Sequence, residues 1–246
     1  MSFCGLQAQS GQITHLPIYP MIFLAIDTSG KSGGITLAEG NDNSFRVLQS
    51  SPIAGGTFSA QLVPTLASLL QKHSLAAADL GGFAAVSGPG SFTGLRVGLS
   101  AIKGLAEVLQ KPIVTISLLE ALATLSYQQG TVAAALDAGR SEIYFGLYSV
   151  SNGRATKFQE QLLSQQEFVT QLKASSPVSL VTSDPAVAEL AYASGIQVQE
   201  VARPEIEAIA RMGLQKLLAG ETVSVEALDA NYIRRSDAEI FSNRKI

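Results

Sequence analysis

Two stretches of the chain carry residue types that phosphate or metal chemistry uses. The first is Ile26-Asp27-Thr28-Ser29-Gly30, where an apolar run from Met21 ends in a carboxylate and two hydroxyls. A carboxylate just past a buried strand is placed to hold Mg²⁺, or a water beside a phosphate. The same residues also close an Asx-turn on their own backbone. Asp137, followed by Ala138-Gly139-Arg140, ends the apolar run 132–136 in the same way and can mirror Asp27 across a cleft. The second stretch is Ser87-Gly88-Pro89-Gly90-Ser91-Phe92-Thr93-Gly94-Leu95-Arg96-Val97-Gly98. It has the look of a phosphate loop, but a Walker-type loop requires Gly-Lys-Ser/Thr where this chain has Gly94-Leu95-Arg96. What remains is a generic anion site at a helix N-terminus, or plain N-caps at Ser91 and Thr93.

Other catalytic designs are excluded by counting. Ser91 lacks the Gly-x-Ser-x-Gly context of a nucleophile elbow. The two histidines, His15 and His73, supply neither a His-x-x-x-His metal pair nor a histidine-based triad. Cys4 is the only cysteine, so there is no internal disulfide and no cysteine-based zinc site. No catalytic residue and no metal ligand set is assigned.

The elements that must position these residues alternate between strand and helix. Strands are predicted over 21–27, 33–38, 45–50, 83–86 and 113–116, with helices at Leu62/Leu66/Leu69/His73 spacing and over 92–110. Ser59 is the expected cap of the first helix, and Pro64 either opens or kinks it. Ser117-Leu118-Leu119-Glu120 and Ser164-Gln165-Gln166-Glu167 have the form of capping boxes. The second half begins again: strands at 132–136, 142–150 and 178–182, a helix capped by Asp184-Pro185, and a longer helix from Pro204 to Gly220. Each half opens strand–Asp–turn–strand, a repeat of a whole lobe. The expected organisation is an α/β chain with an N-terminal lobe at 21–125 and a C-terminal lobe at 126–246, the last segment packing back on the first lobe. Residues 1–20 read as a disordered extension or a start assigned too early.

Composition narrows the class. The chain has 246 residues, is 46% hydrophobic and 15% charged, and carries a net charge of -3. That is enough apolar surface for a sizeable core, and too little clustered positive charge to hold nucleic acid alone. The nearest cluster, Arg234-Arg235 with Arg244-Lys245, reads as a solvated tail. No apolar run is long enough to span a membrane. A low charge and a positive mean hydropathy point either to a large core or to apolar surface that a partner covers. Gly94, Gly98 and Ala101, with Ser100 and Gly104 nearby, let another element approach the second helix closely.

These motifs resemble one family. Phe23-Leu24-Ala25-Ile26-Asp27-Thr28-Ser29, the Gly88–Gly98 string and Lys103-Gly104-Leu105-Ala106 are similar to TsaB, the bacterial accessory protein of tRNA threonylcarbamoyladenosine synthesis. Leu136-Asp137-Ala138, Glu142-Ile143-Tyr144, Tyr232-Ile233-Arg234 and Asp237-Ala238-Glu239 extend the resemblance over about 21–240. The family implies a two-lobed actin-like/Hsp70-like (ASKHA, ribonuclease-H-like) fold and a non-catalytic, cytoplasmic role. It implies a heterodimer with the catalytic paralogue TsaD, a complex with the ATPase TsaE, and a homodimer in isolation. Contact with tRNA is then indirect, and ATP or ADP with Mg²⁺ is expected only at the complex, around Asp27, Thr28, Ser29 and Asp137. The same helices carry both family dimers, which makes Ser59, Leu62, Leu66, Leu69, Leu95, Gly98, Ala101, Ile102 and Leu105 the expected interface. The family's first helix commonly begins His-Ser-Glu, where this chain has Phe58-Ser59-Ala60. The rivals are an ATP-dependent phosphotransferase of the same superfamily, which Asp27 and Asp137 facing one cleft would support, and a catalytic transferase like TsaD itself.

Overall fold

The computed structural model describes residues 20–175, 179–229 and 233. The apolar run MIFLAID forms β1 (Met21–Asp27), whose last five residues are buried. A strand covered on both faces is apolar throughout rather than alternating. Its antiparallel neighbour is β2 (Ser32–Asn41), followed by β3 (Ser44–Ala54) with a bulge at Leu37/Ala38. Helix α1 (Phe58–Lys72) begins two residues earlier than the expected cap at Ser59 implies. Thr57 precedes it without a side-chain cap, Ser59 lies inside it, and Pro64 sits within the helix rather than opening it. β4 (Gly82–Gly88), α2 (Phe92–Leu109) and β5 (Ile113–Ser117) complete a five-stranded sheet ordered β3-β2-β1-β4-β5.

The short α3 (Leu118–Ala123) leads to the second sheet. It contains β6 (Gly130–Gly139), β7 (Glu142–Ser151), β8 (Arg154–Ser164), then α4 (Gln165–Ala174), β9 (Ser179–Thr182), α5 (Pro185–Ala193) and β10 (Val198–Glu200). The order is β10-β9-β6-β7-β8. Read from its other edge, it is third-second-first-fourth-fifth, as in the first sheet. Both sheets pair their first three strands antiparallel and their last two parallel. This duplicated order is the two-lobed actin-like, ribonuclease-H-like architecture. β8 and β10 are not legible as strands in the sequence. β8 is a partly exposed edge carrying Arg154, Lys157 and Glu160, and β10 has only three residues.

The connecting helices cross over. α3 packs on β6, β7 and β8, while α6 (Ile206–Ala219) packs on β1, β2, β4 and β5. Beyond Gly220, which closes α6 with φ 70°, Val223 donates its N–H to Ile113 O along the edge of β5, at 2.9 Å. Leu228 is buried with the α1 and α2 residues. One core layer thus joins the facing sides of both sheets around α3 and α6, a second lies beneath α1 and α2, and a third on the other side of the second sheet. The basic tail and the C-terminal motif lie outside the described residues except for Ile233, as do residues 1–19.

Of the two expected capping boxes, the one at Ser164 and Glu167 forms. At Ser117 only half does. The Glu120 carboxylate accepts the Ser117 N–H, but the Ser117 hydroxyl turns away and donates to Glu160 of β8, which also accepts from Tyr148. Asp184 likewise does not cap α5 but accepts the N–H of Asp137 at 2.7 Å. Burial and Glu160 push the Tyr148 hydroxyl pKa up, so it remains a donor. Glu120 pairs with Lys216 of α6 at 2.8 Å. Its pKa nevertheless stands above the ordinary 4.5, because burial outweighs the lysine and Glu160 adds to the effect.

That sign gives a test. A carboxyl whose folded pKa is raised contributes most when protonated, and its contribution falls as the pH climbs through the raised value. The stability of the native chain relative to Glu120→Gln is therefore expected to decline from pH 4.5 towards neutrality, as read by urea unfolding of both proteins across that range. A difference that instead grew with pH would show that Lys216 outweighs burial.

Candidate partner interface

Asp27, Thr28 and Ser29 leave the end of β1 almost wholly buried. The Asp27 carboxylate folds back on its own turn: Oδ1 accepts the Ser29 N–H at 2.8 Å and the Ser29 hydroxyl at 2.5 Å. Arg203, in the stretch between β10 and α6, donates through Nη2 to Ser29 Oγ at 2.7 Å and reaches Asp27 Oδ2 at 3.4 Å. Of the two chemistries open to this motif, the chain adopts the Asx-turn, and the cation beside Asp27 is a guanidinium.

The glycine-rich string is explained by the same turn. A Cβ on Gly90 would fall within 3.0 Å of Ser29 O, one on Gly94 within 3.0 Å of Thr28 O, and one on Gly98 within 3.0 Å of Thr28 Oγ1. The glycines let α2 close directly onto residues 28–29. The amides at the start of α2 are also engaged: Ser91 N–H donates to Ser29 O at 2.7 Å, and Ser91 Oγ caps Gly94 N–H at 3.2 Å. The chain's own oxygens stand where a phosphate would accept those hydrogen bonds, so the residues present do not fit a magnesium nucleotide held between Asp27 and α2. Asp137 does not extend the site. It is exposed, and its Oδ1 accepts the Gly139 N–H at 2.9 Å in a turn of its own. Among the described residues, no group of three or more His, Cys, Asp or Glu side chains is arranged to hold a metal. His73 lies at the end of α1 against Gln49, Nε2 to Oε1 at 3.2 Å.

α1 and α2 lie together over one face of the first sheet, sharing one core layer. Their outward sides carry Val63, 64% exposed, and Val108, 81% exposed. Val97, Ala101 and Leu105 stand half-buried along α2 at four-residue spacing, with Val108 one turn on. Gly104 is exposed, and among the described residues no atom lies within 4 Å of where its Cβ would be. Glycine inside a helix costs about 1 kcal/mol against alanine. Packing inside the chain requires Gly94 and Gly98; among the described residues nothing requires Gly104.

The family model described as TsaD, tRNA N6-adenosine threonylcarbamoyltransferase, matches residues 52–236. The chain belongs to this family, on its TsaB branch. It is 29% identical over 228 residues to the tRNA threonylcarbamoyladenosine biosynthesis protein TsaB of Bacillus subtilis, and 27% identical over 227 residues to that of Escherichia coli. Each alignment spans 89% of this chain and 96% of the relative. A crystal structure from Pseudomonas aeruginosa, described as an uncharacterized protein with similarity to peptidase YEAZ, superposes with a TM-score of 0.70 at 26% identity. It covers 87% of this chain and all of that one.

The structure places much of the expected interface list inside the core. Leu62, Leu66, Leu69, Leu95 and Ile102 are buried in the core, and Gly98 is buried against Thr28. In helices lying on a sheet, the strongest apolar stripe turns inward because that burial stabilises the isolated lobe most. Ser59 is exposed, and Ala101 and Leu105 are partly so. Val63 and Val108, the exposed apolar residues of these helices, are not on that list. Both are apolar residues off the inward stripe, and that position was the available signal. Arg203 was missed because nothing in its neighbourhood marks it.

Proposed function

We propose that this chain is the accessory, non-catalytic subunit of the machinery that builds threonylcarbamoyladenosine on tRNA, working in the cytoplasm. It binds the catalytic paralogue TsaD through the outer faces of α1 and α2, with TsaE completing the complex. In isolation it pairs with itself through the same faces. The observation that carries this reading is the strip on α2 in which Val97, Ala101 and Leu105 are half-buried and Gly104 and Val108 exposed, Gly104 leaving room that nothing among the described residues uses. Small and apolar side chains on an open helix face allow a second helix to approach closely. Burying the same strip on either partner makes the two dimers alternatives, and binding that favours the competent form of TsaD activates by shifting its population. The Asp27 turn, closed by Arg203 and Ser29, supports a structural role for that site and not a phosphotransferase centre. Contact with tRNA then comes through the complex.

The test is threonylcarbamoyl transfer to tRNA with this chain alone, with TsaD and TsaE from the same organism, and with those two alone. Activity only in the full mixture is the expected result. Turnover by this chain alone, or full turnover without it, overturns the proposal.

A further inference from the structure

The stretch 201–205 carries the chain from the edge of the second sheet back to α6 on the first. Arg203 is the point where it touches the end of β1. We propose that Arg203 is a positioning residue for the partner face: it clamps the 27–29 turn against the first turn of α2 and so sets where α2 presents its outer side. This rests on the partner reading above.

The mechanical path is continuous. The guanidinium donates to Ser29 Oγ at 2.7 Å while that hydroxyl donates to Asp27 Oδ1 at 2.5 Å. The carboxylate orients the hydroxyl, and the hydroxyl's lone pair faces the arginine. Ser29 O in turn accepts the Ser91 N–H at 2.7 Å, and Ser91 Oγ caps Gly94. Thr28, between the two, presents its carbonyl to Gly94 and its hydroxyl to Gly98. A shift in Ser29 therefore reaches α2 through a hydrogen bond and through close packing that leaves no slack. Gly30 belongs to the same device, since a Cβ there would stand 3.1 Å from Arg203 Cζ. One nitrogen, Nη2, faces both Ser29 and Asp27, and an arginine holds it in a rigid planar group, whereas a lysine carries its ammonium on a flexible stem. The Arg203 side chain is 34% exposed and Asp27 beneath it 4%, so the arginine can be changed without opening the core.

The experiment uses the full chain and the variants Arg203→Ala, Arg203→Lys and Val108→Glu. Amide hydrogen exchange is read at Ser29, Ser91 and Gly94, with α4 as the distant control, and affinity for TsaD is measured alongside. Arg203→Ala is expected to speed exchange at the three amides by about tenfold with α4 unchanged. It is also expected to weaken TsaD binding by about tenfold, with Arg203→Lys recovering part of both. Unchanged exchange at Ser29 and Ser91, or an equal rise in α4, overturns the clamp. Should Arg203→Ala fail to fold, the same exchange readout on Arg203→Lys decides. Val108→Glu separates the two proposals. If it binds TsaD as tightly as the native chain, the partner face is wrong, and exchange alone judges the clamp. If it weakens binding while Arg203→Ala does not, the face stands and the positioning role falls.

Discussion

Gly94→Ala is expected to destabilise the chain by about 3 kcal/mol, against the sign of helix propensity, since overpacking a close contact costs roughly 1–3 kcal/mol or more. The added methyl would lie within 3.0 Å of Thr28 O, a backbone atom at the end of the buried strand β1. A backbone carbonyl has no alternative rotamer, so either α2 lifts or the turn moves, and the turn is tied to Asp27 and Arg203. Gly104→Ala is the matched control. It lies in the same helix with open space around it, and alanine there is expected to stabilise by about 1 kcal/mol. Urea unfolding of the two variants reads both numbers. Equal effects of one sign would mean that the Thr28 contact does not govern Gly94. The same reasoning excludes Gly98 and Leu66 as interface probes: Gly98 meets the Thr28 side chain and Leu66 is buried, so substitutions there report on folding first.

Val63→Glu combined with Val108→Glu is expected to weaken association with TsaD, and self-association, by about a hundredfold or more, since each places an unpaired carboxylate in an apolar contact. Both valines are largely exposed in the isolated chain, so its own stability is expected to change by less than about 0.5 kcal/mol. Sedimentation of the chain with and without TsaD, beside a thermal melt, separates the two effects. Unaltered association with an intact fold would place the partner on another surface.

Much of the architecture was legible before any coordinates. Apolar runs of strand length, helical spacing in 92–109 and the second strand–Asp–turn at 132–139 foreshadowed two lobes, and the sheet orders bear out that duplication. The strands that escaped notice, β8 and β10, are an edge strand and a three-residue strand, where burial imprints little pattern. The Ser117 and Ser164 boxes share a sequence signature, yet only Ser164 forms its box. Glu160, reached from Ser117 across 43 residues, claims the other hydroxyl.

What the sequence by itself determined is local and additive: the elements, the family motifs, the failure of the Walker and histidine designs, and the presence of glycines that demanded a reason. What only the tertiary structure decided is which side of α1 faces the sheet, and what Asp27 and the glycines touch. Helical periodicity defines faces but not which face a second layer will cover, so Leu62 and Leu66 read as a partner face while they lie in the core. The decisive partner of Asp27 is Arg203, 176 residues away in the chain. No local propensity encodes a contact at that distance; it exists because the two lobes close the chain back on itself.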